Sequence, residues 1–233
     1  MRPGRCAMVQ ERKVVQLPIL RGSSVADALS GFAPQIEQNE HLGRRVERAV
    51  TAIAVEIRGW PEVAEWIGTD GAQRLCLQLV GEITRAVESA NGSHVSVGGR
   101  QASPVLTATF SGDLHATRAL FAAQHARDIA ARPLHPSMRE QFHASIGVNS
   151  GTVTHTHVNG SRLEFRSMGT VRMFATRLQE FAGPDQIFVA ASTLRAVPVG
   201  LDVVPIGPVR TNGDGEQQEA YCLMGFVARE GAL

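Results

Sequence analysis

The sequence predicts one mixed domain in which strands and helices alternate, and three observations carry that expectation. Runs of strand length, rich in Val and Ile, are separated by segments whose apolar residues return every third or fourth position. Gly, Asn and Pro fall between these segments, where a chain has to turn. With 43% hydrophobic and 19% charged residues the chain is too apolar for disorder, and at 233 residues it can bury one good core.

Residues 1–45 read as an N-terminal arm. A short strand is expected over Val14 to Leu20. Ser24 and Asp27 have the spacing of a capping box, with Asp where Glu or Gln is usual. Behind them Val25, Leu29, Phe32 and Ile36 form one apolar helical stripe, interrupted at Pro34. The arm either packs on its own domain or, through residues 25–36, contacts a second copy or a partner protein.

Residues 46–227 form the domain proper, and 228–233 a tail. Ala49 to Ile57 is an apolar run of a strand buried on both sides. Two helical segments follow, Pro61 to Ile67 and Asp70 to Ser89, the second with Leu75, Leu79, Ile83 and Val87 on one face. Trp60 and Trp66 are expected to pack. After Asn91-Gly92, strands over His94 to Val97 and Val105 to Phe110 flank a Gly-Gly-Arg loop. Asp113 begins a helix as an N-terminal acidic residue, and Arg132-Pro133 ends it. Phe142 to Asn149 and Thr152 to Val158 are expected as a hairpin turning at Ser150-Gly151. A helix then starts at Met168 or Gly169 and stops at Ala182-Gly183-Pro184. A strand over Ile187 to Ala190, a short helix over Ser192 to Val197, and strands around Leu201 to Ile206 and Glu219 to Leu223 complete the chain. Glycines 92, 147, 151 and 169 read as turn glycines.

Charge narrows the function classes. A net charge of +1 gives no uniform field to draw nucleic acid or an anionic membrane. Lys13 is the only lysine among 23 basic residues; the rest are arginines. Chemistry that needs a lysine within the domain is therefore short of material. No apolar run approaches the roughly 20 residues of a membrane span. The charged start lacks a signal peptide's apolar stretch, so a cytoplasmic location is expected. Cys6, Cys76 and Cys222 are then reduced thiols, with Cys76 in the core.

Four segments and their order resemble the class III nucleotidyl cyclase catalytic domain, from about Arg48 to Phe226. AVEIRGWPEVAEWIG (54–68) is similar to the family's opening V-D-I-R-G-F-T and its following helix. VLTATFSG (105–112) with HATRALFAAQHARDI (115–129) is similar to the strand and helix after its central hairpin. ASIGVNSGTV (144–153) resembles I-G-I-N-T-G-E-V, and FRSMGTVRMFATRLQEFAGPDQIFVAAST (165–193) resembles the family's last long helix and following strand. The close, VVPIGPVRTNGDGEQQEAYCLMGF, is similar to its final hairpin. The resemblance implies an α+β fold of ferredoxin-like or palm type, with helices packed on a largely antiparallel sheet. It also implies a head-to-tail dimer and a two-metal conversion of a nucleoside triphosphate into a cyclic monophosphate and pyrophosphate.

Carried over residue by residue, most of the implied site is missing. The first metal-binding aspartate falls on Glu56. The second falls on Gly99 or on Pro104, according to which strand anchors the alignment, and neither has a side-chain oxygen. The base-reading lysine falls near Ser96, the second base reader on Arg166, and the ribose-orienting asparagine on Met173. Arg177 matches the arginine that meets phosphate charge in the transition state; it reads equally as a surface arginine paired with Glu180 or Gln179.

The expected function is a degenerate cyclase homology domain acting as a regulatory module, dimeric or paired with a partner chain. Arg100, Arg166, Arg172 and Arg177 around the cleft make a nucleotide ligand without metal conceivable. No cofactor is expected, with Mg²⁺ or Mn²⁺ required only if the domain is active. The alternatives are a protein-interaction scaffold without a small ligand, and an active cyclase of unusual base preference. His155 and His157 share a strand face at a spacing that can bind metal, but no third ligand accompanies them.

Overall fold

The computed structural model describes residues 13–15, 45–100, 103–132, 142–158, 161–164, 167–210 and 217–227. Its strands are β1 (Lys13–Val15), β2 (Arg45–Arg58), β3 (Ser93–Arg100), β4 (Ser103–Ser111), β5 (His143–Val158), β6 (Ser161–Glu164), β7 (Gln186–Ala190), β8 (Leu201–Arg210) and β9 (Gln217–Phe226). The helices are α1 (Trp60–Ser89), α2 (His115–Ala130), α3 (Ser167–Phe181) and α4 (Ala191–Ala196). The strands form one sheet in the order β1-β8-β9-β7-β5-β2-β4-β3, with β6 pairing β5. Among the described pairings only β5 with β7 is parallel. The expected α+β class with a largely antiparallel sheet is the observed one.

The central strand explains why its sequence is almost continuously apolar. Ile53, Val55 and Ile57 point into the core beneath α1 and α2. Val50, Ala52 and Ala54 point the other way, against Val171 and Ala175 of α3. A strand covered on both faces has no polar side to show. On the α3 side the neighbouring strand has no side chain at Gly147: a Cβ there would lie 2.0 Å from the Ala175 carbonyl oxygen and 2.5 Å from the Gln179 nitrogen. This glycine sets how closely α3 seats on the sheet.

Several expectations change. Ser150-Gly151 is not a turn: β5 runs unbroken past it, paired with β2 from Arg58↔His143 to Arg45↔Thr156. The polar residues that suggested a turn are consumed by tertiary hydrogen bonds. Asn149 Nδ2 donates to the Val171 carbonyl at 3.1 Å, and Ser192 Oγ donates to Asn149 Oδ1 at 3.0 Å. Gly151 gives room to Val171, whose Cγ2 would stand 2.8 Å from an added Cβ. Gly169 lies inside α3, so of the four expected turn glycines only Gly92 follows a helix end, with its N–H on the Val87 carbonyl.

Asp113 is not in α2 but in the turn before it, and the N-cap is Leu114 at φ 54°. That turn is fixed instead by Arg118, which donates to the carbonyls of Asp113, Ala90, Asn91 and Ser111, tying the ends of α1 and β4 together. Trp60 packs as expected, edge-on to Phe142, with its Nε1 donating to the Ile57 carbonyl. Trp66 does not pack: it is 59% exposed, six residues on and rotated away from Trp60, just before Gly68 breaks the helix at φ 76°. That break divides α1 where the sequence separates two helical segments. Cys76 is half-buried against the core, and burial pushes its thiol pKa up. The 25–36 stripe and the tail lie outside the described residues. No helix among the described residues is long and apolar enough to cross a membrane.

Candidate functional site

The site lies on the α3 face of the sheet, where the end of β2 and the β3–β4 hairpin pass beneath that helix. Period-two alternation along β2 puts Glu56 on the same face as Ala52 and Ala54, and so toward α3. In register it stands between Val105 of β4 and Ser145 of β5. Its side chain is only 15% exposed, and one oxygen, Oε2, takes two donors: Arg58 Nε at 2.6 Å and Gln179 Nε2 at 2.6 Å. Arg58 is two residues along the same strand, hence on the same face. Gln179 is 1% exposed and is brought down by the close seating of α3 over Gly147.

One strand pair further on, Ala54 opposes Thr107, and Thr107 opposes Ser96. The two hydroxyls share a hydrogen bond of 2.9 Å. Arg172 reaches across from α3 and donates through Nη2 to Ser96 Oγ, at 2.6 Å, and to Thr107 Oγ1. Arg172 and Gln179 are seven residues apart, two helical turns, so one stripe of α3 carries both toward the sheet. Met173 and Arg177 lie on a different stripe. Met173 is 43% exposed. Arg177 is turned along its own helix, with Nη1 2.7 Å from Glu180 Oε2 and its guanidinium 4.8 Å from the Phe181 ring centroid.

Charge at the β2 end extends to His143, the cross-strand partner of Arg58. Burial lowers its pKa and Arg58 lowers it further, against the opposing pull of Asp185, Glu62 and Glu56.

No family model matches the sequence, and no curated protein matches it either. Solved structures do match the fold. The dimeric guanylyl cyclase domain of the RhoGC fusion protein from the aquatic fungus Blastocladiella emersonii has 17% identity and a TM-score of 0.56, over 80% of this chain and 99% of that one. The guanylate cyclase domain of RhGC from Catenaria anguillulae, solved with GTP, has 17% identity and a TM-score of 0.57, over 78% and 100%. The adenylyl cyclase CyaB from P. aeruginosa has 14% identity and a TM-score of 0.56, over 81% and 100%. The fold is that of a class III nucleotidyl cyclase catalytic domain.

Gly99 and Pro104, the two alternatives for the second metal position, are cross-strand partners, one pair beyond the Gly98–Val105 pair that lies across from Glu56. Gly99 there takes φ 94°, a conformation that suits glycine. The two divalent ions implied by the cyclase fold do not fit this donor set. One carboxylate oxygen already accepts a guanidinium and an amide, and the opposite position has no side-chain oxygen. Among the described residues no group of three or more His, Cys, Asp or Glu side chains could hold a metal. Ser96, expected from the resemblance at the position of the base-reading lysine, accepts a hydrogen bond from Arg172 of α3. Arg100 falls at the hairpin end opposite Ser103, and its side chain, those of His155 and His157, and the whole of Arg166 lie outside the described residues. The partners of Glu56 had a sequence signal: Arg58 at i+2 on one strand face, and Gln179 at i+7 from Arg172 on one helix face.

Proposed function

We propose that this chain is a catalytically degenerate cyclase homology domain that acts as a regulatory module and binds a nucleotide without metal. The observation that carries the reading is Glu56 Oε2, held by Arg58 and Gln179 together, with no carboxylate across from it at Val105 or at the Gly99–Pro104 pair next to it. An arginine after the metal position also occurs in the family pattern. The departures are therefore the longer acid, the glutamine bound to it and the missing partner acid. Two-metal catalysis depends on both ions clamping the attacking and leaving oxygens. Each oriented group of this kind contributes about 10²-fold or more, so losing the second ligand, the lysine and the asparagine together removes most transition-state stabilisation.

Ligand binding survives such losses better than turnover, because α3 still brings the Arg172 guanidinium over the hairpin, with no carboxylate among the described residues paired to it. Arginine binds phosphate and purine acceptors through a rigid planar fork and needs no bridging metal. The test is equilibrium binding of ATP, GTP, CTP and UTP, in EDTA and again with Mn²⁺. The expected result is binding of at least one nucleotide with an affinity that Mn²⁺ leaves unchanged. No binding at millimolar nucleotide, or binding that requires Mn²⁺, contradicts the reading.

A second reading, contact with another chain, is favoured by the outer face of α3. Met173 and Phe181 are 43% and 53% exposed there, on either side of the Arg177–Glu180 pair. The guanylyl cyclase domain from Blastocladiella emersonii has been solved both as a non-canonical dimer and as a monomer. Sedimentation of the chain and of a Met173→Asp, Phe181→Asp variant tests it: the variant should be monomeric, and an unchanged mass for both rejects this contact.

A further inference from the structure

We propose that the outer margin of the α2 face, at Phe121, Phe226, Val227 and Val199, is a docking surface for the chain's own arm, and that the apolar stripe of Val25, Leu29 and Phe32 covers it. Phe121 is 54% exposed on α2, and its ring stacks on that of Phe226 with centroids 4.4 Å apart. Phe226 is half-buried against the core beneath α1 and α2. Val227 and Val199 are 39% and 41% exposed. The Val227 N–H donates to the Gly200 carbonyl, so the end of β9 lies against the residues that lead into β8. Apolar side chains thus gather, mostly exposed, where α2 meets the β8–β9 edge of the sheet.

The path of the chain names the occupant. Val15, the last residue of β1, pairs with Leu201 of β8, and Leu201 pairs on its other side with Phe226 of β9. Val15 is therefore two strand spacings, roughly 10 Å, from Phe226. Because β1 runs antiparallel to β8, it ends heading toward Gly200 and Val199. At no more than about 3.5 Å per residue, residues 16–24 span up to about 30 Å, and Arg21-Gly22-Ser23-Ser24 lets the chain reverse, so Val25 can return to the margin. Asp27 is the only charged residue in 25–36, a composition better suited to an apolar surface than to water. A segment tethered this close meets the surface at an effective concentration in the millimolar range, which a second copy at micromolar concentration cannot match. Docking here also keeps the arm on the α1–α2 side of the sheet and leaves α3, with its exposed Met173 and Phe181, uncovered.

The experiment places the photo-crosslinking residue p-benzoylphenylalanine at position 121 of the full chain and maps the products by peptide mass spectrometry. Crosslinks from position 121 to residues 25–36, in a species of monomer mass, are the expected result. They should disappear in a Leu29→Asp, Phe32→Asp background. Crosslinks at dimer mass would make a second copy the occupant and overturn the proposal. So would crosslinks to other segments only, no crosslink at all, or crosslinks that survive the double substitution. Hydrogen exchange on the chain with Phe121 intact keeps the test open if the crosslinker disturbs the fold. Burial of a Leu or Phe side chain corresponds to a change of about 10-fold or more in an opening equilibrium, so amides in 25–36 should exchange at least about 10-fold slower than in a free peptide of that sequence. Val227→Asp, a substitution at the exposed margin, should remove that protection while leaving β2 and β5 protected. Free-peptide rates in the parent chain, or protection that Val227→Asp leaves unchanged, overturn the proposal.

Discussion

At the residue scale, charge in this domain is settled by local pairing. Glu56 is mostly buried, and its two donors answer the desolvation that burial imposes. Gln179→Leu keeps the volume but deletes one donor, and it should cost about 1–2 kcal/mol in chemical denaturation. No loss of stability would mean that the amide does not hold the carboxylate. On the opposite face a buried chain of hydrogen bonds runs from His115 Nδ1 to Thr51, Ser150 and Thr193. Ser150 donates to Thr193, so Thr51 must donate to Ser150, and the remaining bond requires His115 to donate from Nδ1. Nitrogen NMR should therefore find His115 as the Nδ1–H tautomer; an Nε2–H tautomer contradicts the chain.

Burial first, then Arg118, lowers the His115 pKa below 6.5, and His143 is likewise lowered by burial and Arg58. The unfolded chain then takes up these protons before the folded one does. Stability is full above pH 6.5 and falls as the pH drops below it, until the folded imidazoles also charge. Melting temperatures between pH 7.5 and 5.5 should decline for the parent chain and decline less for His115→Asn, His143→Gln. Identical slopes would remove both histidines from the account.

At the element scale, the seating of α3 decides whether the site assembles. Gly147→Ala forces a methyl against the backbone of Ala175 and Gln179, which cannot swing aside as a side-chain tip could. About 3 kcal/mol of destabilisation is expected from such overpacking. Gly169→Ala, in the same helix but with nothing within 4 Å of the added Cβ, should be neutral or stabilise by up to about 1 kcal/mol. A denaturation series of the two variants reads the contrast, and equal effects would contradict the packing described.

Gly151 shows what the sequence could and could not convey. Strand and helix periods were legible because β2, α1 and α2 bury continuous apolar faces. Ser150-Gly151 misled because a glycine admitting a helix and a glycine making a turn look alike in sequence. Only the tertiary partner, here Val171, tells them apart. The site was legible as a set of absences. Its positive contents, Gln179 on Glu56 and Arg172 on Ser96, depend on how α3 is rotated over the sheet, and the sequence registered that only as a seven-residue spacing.

At the scale of the whole molecule, a cyclase fold is retained by packing that does not need cyclase chemistry. Helices α1 and α2 cover one face of the sheet with a continuous core, and α3 covers the other with small residues and close approach. Neither core cluster includes Gly99, Pro104 or Met173, so substitutions at those positions should leave the fold intact. The scarcity of lysine fits this pattern. Within the domain the cation at the hairpin comes from an arginine on the helix. The account therefore separates fold from turnover, and turnover is the direct measurement: incubation with ATP, GTP, CTP and UTP in Mn²⁺, with cyclic nucleotide and pyrophosphate quantified against a Glu56→Ala, Arg177→Ala control. The account predicts no product above that control with any of the four nucleotides. Cyclic product formed by the parent chain and abolished in the control would contradict it.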